Sequence, residues 1–358
     1  MNLQPKCLAT AIGSLPHDRA DLAVDVVLSA IPDAPVWPQL PRISLNEQME
    51  IQYSEGMPGR IIDPEKRRMY FDTAADQSEA LAAFYEAYLQ AMDPDSGSGD
   101  CSAMAISPEF SRGIYALESR LKTSDRKLPF VKIQTTGPCS FALTVVDQDK
   151  RAIYYNEEFR DVIVKVLAMK CRWQIQKFQP YAKHIICFVD EPILSAFGSS
   201  TYVSLNRENV VAHLQEIIEA IHADRTIAGV HCCGNTEWSL LIDAGVDIVN
   251  FDAFEYGDTI ALYAPAVKVH LERGGMLAWG IVPTSKAIRE QTVDTLMDRL
   301  DKVVENLAAR SRLEKQQIYE QALVTPSCGT GSMEVADAER VFQLLGDLSK
   351  ALKEKHGF

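Results

Sequence analysis

No apolar run in this chain approaches the ~20 residues that a membrane-crossing helix needs. The opening residues, Met1-Asn2-Leu3-Gln4-Pro5-Lys6, lack the charged-then-apolar pattern of a secretory leader. A basic surplus is missing too: 36 Lys and Arg stand against 49 Asp and Glu, a net charge of −13. Neither a nucleic acid nor a membrane is therefore an expected partner. There is no G-x-G-x-x-G and no Walker sequence, so the usual phosphate-cradling turns of nucleotide-binding folds are excluded. Internal repeats, heptads and low-complexity tails are also absent. The eight cysteines, spread over 358 residues, do not form the pattern of a disulfide framework, and a reducing cytoplasm is the expected setting.

What remains is a chain of enzyme size, 47% hydrophobic and 24% charged, with ample length for a large core. Strand-like runs at 8–12, 131–134, 184–189, 226–230, 247–251, 276–281 and 322–325 alternate with amphipathic segments at 19–31, 78–91, 158–178, 207–223, 260–272, 292–309 and 336–353. Such alternation predicts an α/β fold with a parallel sheet. The number of units favours a (βα)8 TIM barrel with an elaborated N-terminal third, as one catalytic domain over residues 1–358. The polar clusters point the same way, because Gly13-Ser14, Asp190-Glu191, His231-Cys233, Asp252 and Cys328 all follow candidate strands. That is the edge where barrels assemble their sites. Residues 93–100 (DPDSGSGD) read as a flexible surface loop.

The most telling stretches are Val230-His231-Cys232-Cys233-Gly234-Asn235-Thr236 and Thr325-Pro326-Ser327-Cys328-Gly329. Residues two apart on a strand face the same way, so His231 and Cys233 point together and Cys232 points into the core. With Cys328 they offer one imidazole and two thiolates, a donor set that suits zinc and leaves a fourth position open. Asp252 could complete that shell or orient His231. Asp190, at the end of a strongly apolar run, could hold an ammonium group or trade a proton. Gly13 permits close approach of a ligand to the backbone, and Ser14 could bind a carboxylate. Trp37-Pro38 and Trp279-Gly280 read as packed rim corners, and the polar run from Gln52 to Gly56 could reach over the mouth.

Ile12-Gly13-Ser14, Asp190-Glu191-Pro192, His231-x-Cys233, Asp252 and Pro326-Ser327-Cys328-Gly329 occur in an order that resembles the catalytic barrel of cobalamin-independent methionine synthase. The wider superfamily includes uroporphyrinogen decarboxylase. The resemblance spans about residues 8–350. It implies zinc held by His231, Cys233 and Cys328, with Asp252 where the family has a glutamate. It also implies homocysteine gripped by Ile12, Ser14 and Asp190, with Glu47 or Glu55 as a further anchor for its amine. Two departures matter. The amino-terminal folate-binding barrel has no counterpart, and the family's D-I-H-S-P segment is replaced by Trp279-Gly280-Ile281-Val282-Pro283. The string from His231 to Thr236 is also similar to corrinoid-dependent thiol methyltransferases. The expectation is a core methionine synthase methylating homocysteine, with methylcobalamin or a corrinoid protein as donor and methyl-folate as the other candidate. Alternatives are methylation of a coenzyme thiol, a decarboxylase of the uroporphyrinogen type, and a protein that stores zinc or delivers a corrinoid.

Overall fold

The computed structural model describes residues 3–358 except 93–98, 125, 200, 201, 203 and 204. Most of the loop predicted at 93–100 thus lies outside the described residues. The strands are β1 (Leu8–Ala9), β2 (Arg60–Asp63), β3 (Arg68–Phe71), β4 (Leu128–Thr136), β5 (Val146–Asp147), β6 (Ala182–Asp190), β7 (Ile227–Cys232), β8 (Ile248–Phe251), β9 (Met276–Val282) and β10 (Ala322–Pro326). Seven of them form a sheet in the order β1-β10-β9-β8-β7-β6-β4, every neighbour parallel. An α/β fold built on a parallel sheet is what the alternation predicted.

The helices between strands follow local rules. Asn156 accepts a hydrogen bond from the Phe159 amide and opens the helix Glu157–Phe178, with Glu157 and Glu158 in its positive first turn. Thr292 and Thr295 cap the helix Val293–Ser311 reciprocally. The helix predicted at 260–272 is instead a 3₁₀ helix, Gly257–Tyr263, followed by the α-helix Ala264–Glu272. Pro265 sits in the first turn of the α-helix and lacks the amide that an α-helix continuing from residue 261 would need. No helix among the described residues is long and apolar enough to cross a membrane.

Strand register fills the concave side of the sheet in layers. Gln134 pairs with Phe188, Phe188 with Gly229, Gly229 with Ile248 and Ile248 with Met276. One step toward the carboxyl ends, Thr136 pairs with Asp190, Asp190 with His231, His231 with Asn250 and Asn250 with Ala278. The lower layer packs as an apolar cluster with Ile186, Ile227 and Leu323; the upper layer is polar. Gly229 makes room for this packing, because a Cβ there would lie 2.5 Å from the Phe188 ring. The convex side carries the larger core under the helices.

Two expectations need correction. The strand predicted at 8–12 ends at Ala9. Beyond it, side chains take up backbone groups: Lys132 Nζ donates to the Ile12 carbonyl, and the Thr10 hydroxyl donates to the Ala34 carbonyl at 2.9 Å. The second concerns the corner expected from Trp37 to Pro41: Trp37 is packed as expected, but it belongs to a segment, residues 33–39, that runs between β4 and the residues following β1. The Phe130 and Lys132 amides donate to Asp33 and Pro35 carbonyls at 3.0 and 2.8 Å, while the Gln39 amide donates to the Gly13 carbonyl at 3.0 Å. Isolated parallel bridges join Val36 to Lys132 and Ser14 to Gln39. Pro35 and Pro38 withhold the amides that a continuous ladder needs. A separate small sheet, β2-β3-β5, elaborates the first half of the chain, and its short, Arg- and Asp-bearing strands gave no periodic signal.

Candidate metal centre

The site stands on the polar upper layer. The imidazole of His231, on β7, is 2% exposed and faces inward with Asp190 of β6 and Asn250 of β8 on either side. Cys233 lies one residue past the end of β7. Cys328 lies beyond β10, where a register irregularity between Thr325 and Pro326 breaks the pairing with β9. The turn that follows is held by the Ser327 amide donating to the Val282 carbonyl at 2.8 Å. The His231, Cys233 and Cys328 ligand atoms all lie within 4.8 Å of one another. No other group of three such ligands occurs among the described residues.

Asn250 decides the state of the imidazole. Its Nδ2 donates to the Ala278 carbonyl at 2.8 Å and to Thr325 Oγ1 at 2.9 Å. Its Oδ1, at 2.6 Å from His231 Nδ1, is therefore the acceptor, and Nδ1 carries the proton. That leaves a lone pair on Nε2, which is buried and has no hydrogen-bond partner among the described residues. An unpartnered buried acceptor is costly unless something binds it. The sulfurs lie close enough to interact: hydrogen bonding with Cys328 lowers Cys233 to about 4, while the same contact and burial push Cys328 up. The contact between the two sulfurs thus favours the ionised form at Cys233 and the protonated form at Cys328. One imidazole nitrogen and two sulfurs within 4.8 Å of one another fit a divalent metal of zinc's preference.

The centre opens on a cavity of about 320 Å³ whose walls include Ile12, Ser14, Asp190, His231, Cys233 and Cys328. Asp190 is 9% exposed, and its Oδ1 has no partner among the described residues. Burial raises its pKa, Lys132 and His231 oppose that rise, and Cys233 adds to it. Ser14 is fixed by its neighbours: its carbonyl accepts from the Thr330 amide and hydroxyl, both at 2.8 Å, and its Oγ accepts from the Gly331 amide at 3.2 Å. Gly13 lies behind this arm with φ 141°, a conformation only glycine adopts readily. The structure thus brings Ile12, Gly13, Ser14, Asp190, His231, Cys233 and Cys328 together.

Three expected residues stand apart. Asp252 caps the short helix Ala253–Tyr256, accepting from the Glu255 amide at 2.9 Å. It lies outside the His-Cys-Cys group, and the orienting partner of His231 is Asn250. Burial raises Asp252 to about 6. Glu55 accepts from the Ser107 amide at 2.7 Å and does not line the cavity. Glu47 is fully buried with the Arg112 guanidinium 3.7 Å away, also off the cavity. Cys232 behaves as the expected core thiol, pushed up to about 12 by burial. Sequence reasoning missed Asn250 and Lys132, although each interrupts an apolar strand run, and it missed Gln39, in an irregular segment, and Met49, at the start of the short helix Met49–Tyr53, which both line the cavity.

No known protein-family profile matches the chain, and no curated protein matches it.

Proposed function

We propose that this protein is a zinc-dependent thiol S-methyltransferase whose acceptor is homocysteine and whose product is methionine. The observation that carries this reading is the convergence of His231 Nε2, Cys233 and Cys328 on a cavity that also holds the Asp190 carboxylate. His231, Cys233 and Cys328 would hold the metal and leave a position facing the cavity. Bound zinc would supply the acidity that ionises an entering thiol, which is mostly protonated in water at neutral pH. Asp190 would take the acceptor's ammonium, and the Ser14 hydroxyl with its Ile12-Gly13 arm would take the carboxylate. Those two anchors aim the sulfur at the donor methyl. The new S–C bond forms as the donor–methyl bond breaks, the bonding pair leaves with the donor, and the thiol proton goes to water. A methyl-corrinoid is the favoured donor, methyl-folate the alternative.

The charge of the cavity supports an amino-acid acceptor. Its charged wall residue besides the ligands is an acid, which favours an ammonium group over the sulfonate or phosphate of a coenzyme thiol and over the carboxylates of a porphyrinogen. We further infer that residues 33–39 act as the eighth strand and close the sheet into a barrel, since they bond to β4 on one side and to the 10–14 segment that follows β1 on the other. The eight free thiols fit a reducing cytoplasm.

The test is direct. Zinc-loaded protein is incubated with homocysteine and either methylcobalamin or methyl-folate, and methionine is measured by mass spectrometry. Cys233→Ser should lose both stoichiometric zinc and product. A zinc-free variant with full activity, or wild-type protein that methylates no thiol from either donor, would refute the proposal.

A further inference from the structure

Lys132 of β4 is fully buried on the inner face of the sheet. Its ammonium donates to the Ile12 carbonyl and, at 3.3 Å, to Gln134 Oε1, and it lies 4.7 Å from the centroid of the Phe188 ring. Burial lowers its pKa to about 8, against the attraction of Asp190. Taking a long ammonium side chain out of water is costly, so a lysine here calls for an account of what its charge and reach hold in place.

Its contacts lead to the cavity. Ile12 and Ser14 line that cavity, and Gly13 between them rests on Gln134, where an added Cβ would lie 2.5 Å from Nε2. Gln134 Nε2 in turn donates to the Trp37 carbonyl at 3.1 Å. Ser14 then binds Thr330 and Gly331, in the loop that begins with Cys328. One ammonium therefore sits at the root of a hydrogen-bonded path from β4, through the 12–14 arm, to the loop of the third sulfur.

We propose that Lys132 is a positioning residue that holds the Ile12-Gly13-Ser14 arm against the cavity, so that an acceptor is recognised by its amino-acid end as well as by its sulfur. This rests on the thiol-acceptor reading above. Lys132 touches neither the metal ligands nor the acceptor's sulfur; it acts through the arm.

The test uses cobalt-loaded protein, in which thiolate-to-cobalt absorption reports thiol binding with no methyl donor present. Homocysteine is compared with 2-mercaptoethanol, which has a sulfur but no amino-acid end. Wild type should prefer homocysteine by about tenfold or more. Lys132→Met should lose most of that preference while keeping its affinity for 2-mercaptoethanol, even though the orphaned Ile12 carbonyl lowers its unfolding temperature. Should Lys132→Met fail to fold, Lys132→Gln, which keeps a donor but loses charge and reach, carries the same comparison. A variant that keeps the preference overturns the inference alone. Equal loss of both thiols also overturns it, because the role is then structural. Wild type that binds 2-mercaptoethanol without preferring homocysteine overturns the amino-acid acceptor and this inference while leaving the metal site intact. Wild type that binds neither thiol overturns the proposed function, and the inference with it.

Discussion

Asn250→Leu isolates what orients the metal ligand. The side chains are similar in size, so the substitution removes hydrogen bonds with little change in packing. Asn250 is fully buried and makes three: it accepts from His231 Nδ1 at 2.6 Å and donates to the Ala278 carbonyl and Thr325 Oγ1 at 2.8 and 2.9 Å. Each buried group left without a partner costs about 1–3 kcal/mol, and that loss should appear as a lower urea midpoint in the metal-free protein. The metal-dependent part is separate. An imidazole without its outer partner is free to rotate or to place its proton on Nε2, and such losses weaken metal binding about 10–100-fold, or about 1.4–2.7 kcal/mol. Competition with a chromogenic zinc chelator at neutral pH measures it. In a His231→Ala background, Asn250→Leu should change zinc affinity no further, because the coupling runs through that one ring. Zinc affinity within twofold of wild type in the single variant would refute the assignment of Asn250 as the orienting partner.

Gly229→Ala should destabilise the fold by about 1–3 kcal/mol through overpacking, since its Cβ would meet the Phe188 ring at 2.5 Å; an unchanged denaturant midpoint would contradict the layer packing described above. Burial raises Glu191 from 4.5 to about 7, against hydrogen bonds from Ser140 and Cys139. Between those values the folded protein keeps a proton that the unfolded chain has released, so this group makes stability fall as pH rises from about 4.5 to 7. Glu191→Gln should flatten that part of the stability profile in urea titrations across the range, and an unaltered slope would show that the carboxyl ionises normally in the fold.

Much of the framework was legible in the sequence, and the reasons are local. Apolar runs bounded by turn residues marked the strands around 184–189 and 276–281, which the structure extends to Ala182–Asp190 and Met276–Val282. Cap residues and helical spacing located the helix Glu157–Phe178 to within one residue of its predicted start. The candidate metal ligands were legible because a parallel sheet gathers its strand ends along one edge, so soft ligands following two separate runs can meet without any knowledge of the path between them.

Other features had no local signal. Residues 33–39 carry prolines and read as a corner, and only the two open edges beside them give their backbone partners. Strand-end position and the family resemblance pointed to Asp252, and the resemblance to Glu55, but Asp252 accepts from the Glu255 amide and Glu55 from the Ser107 amide, and neither lines the cavity. Asn250 and Lys132 are single polar residues inside apolar strands, and their roles depend on which neighbour lies across the register. The chain's own pattern of alternation and soft ligands determined the class of fold and the kind of site. Which buried polar atom faces which partner was decided by strand pairing and packing, because a hydrogen bond is set by distance and direction in space, and residues far apart in the chain acquire those only when it closes on itself.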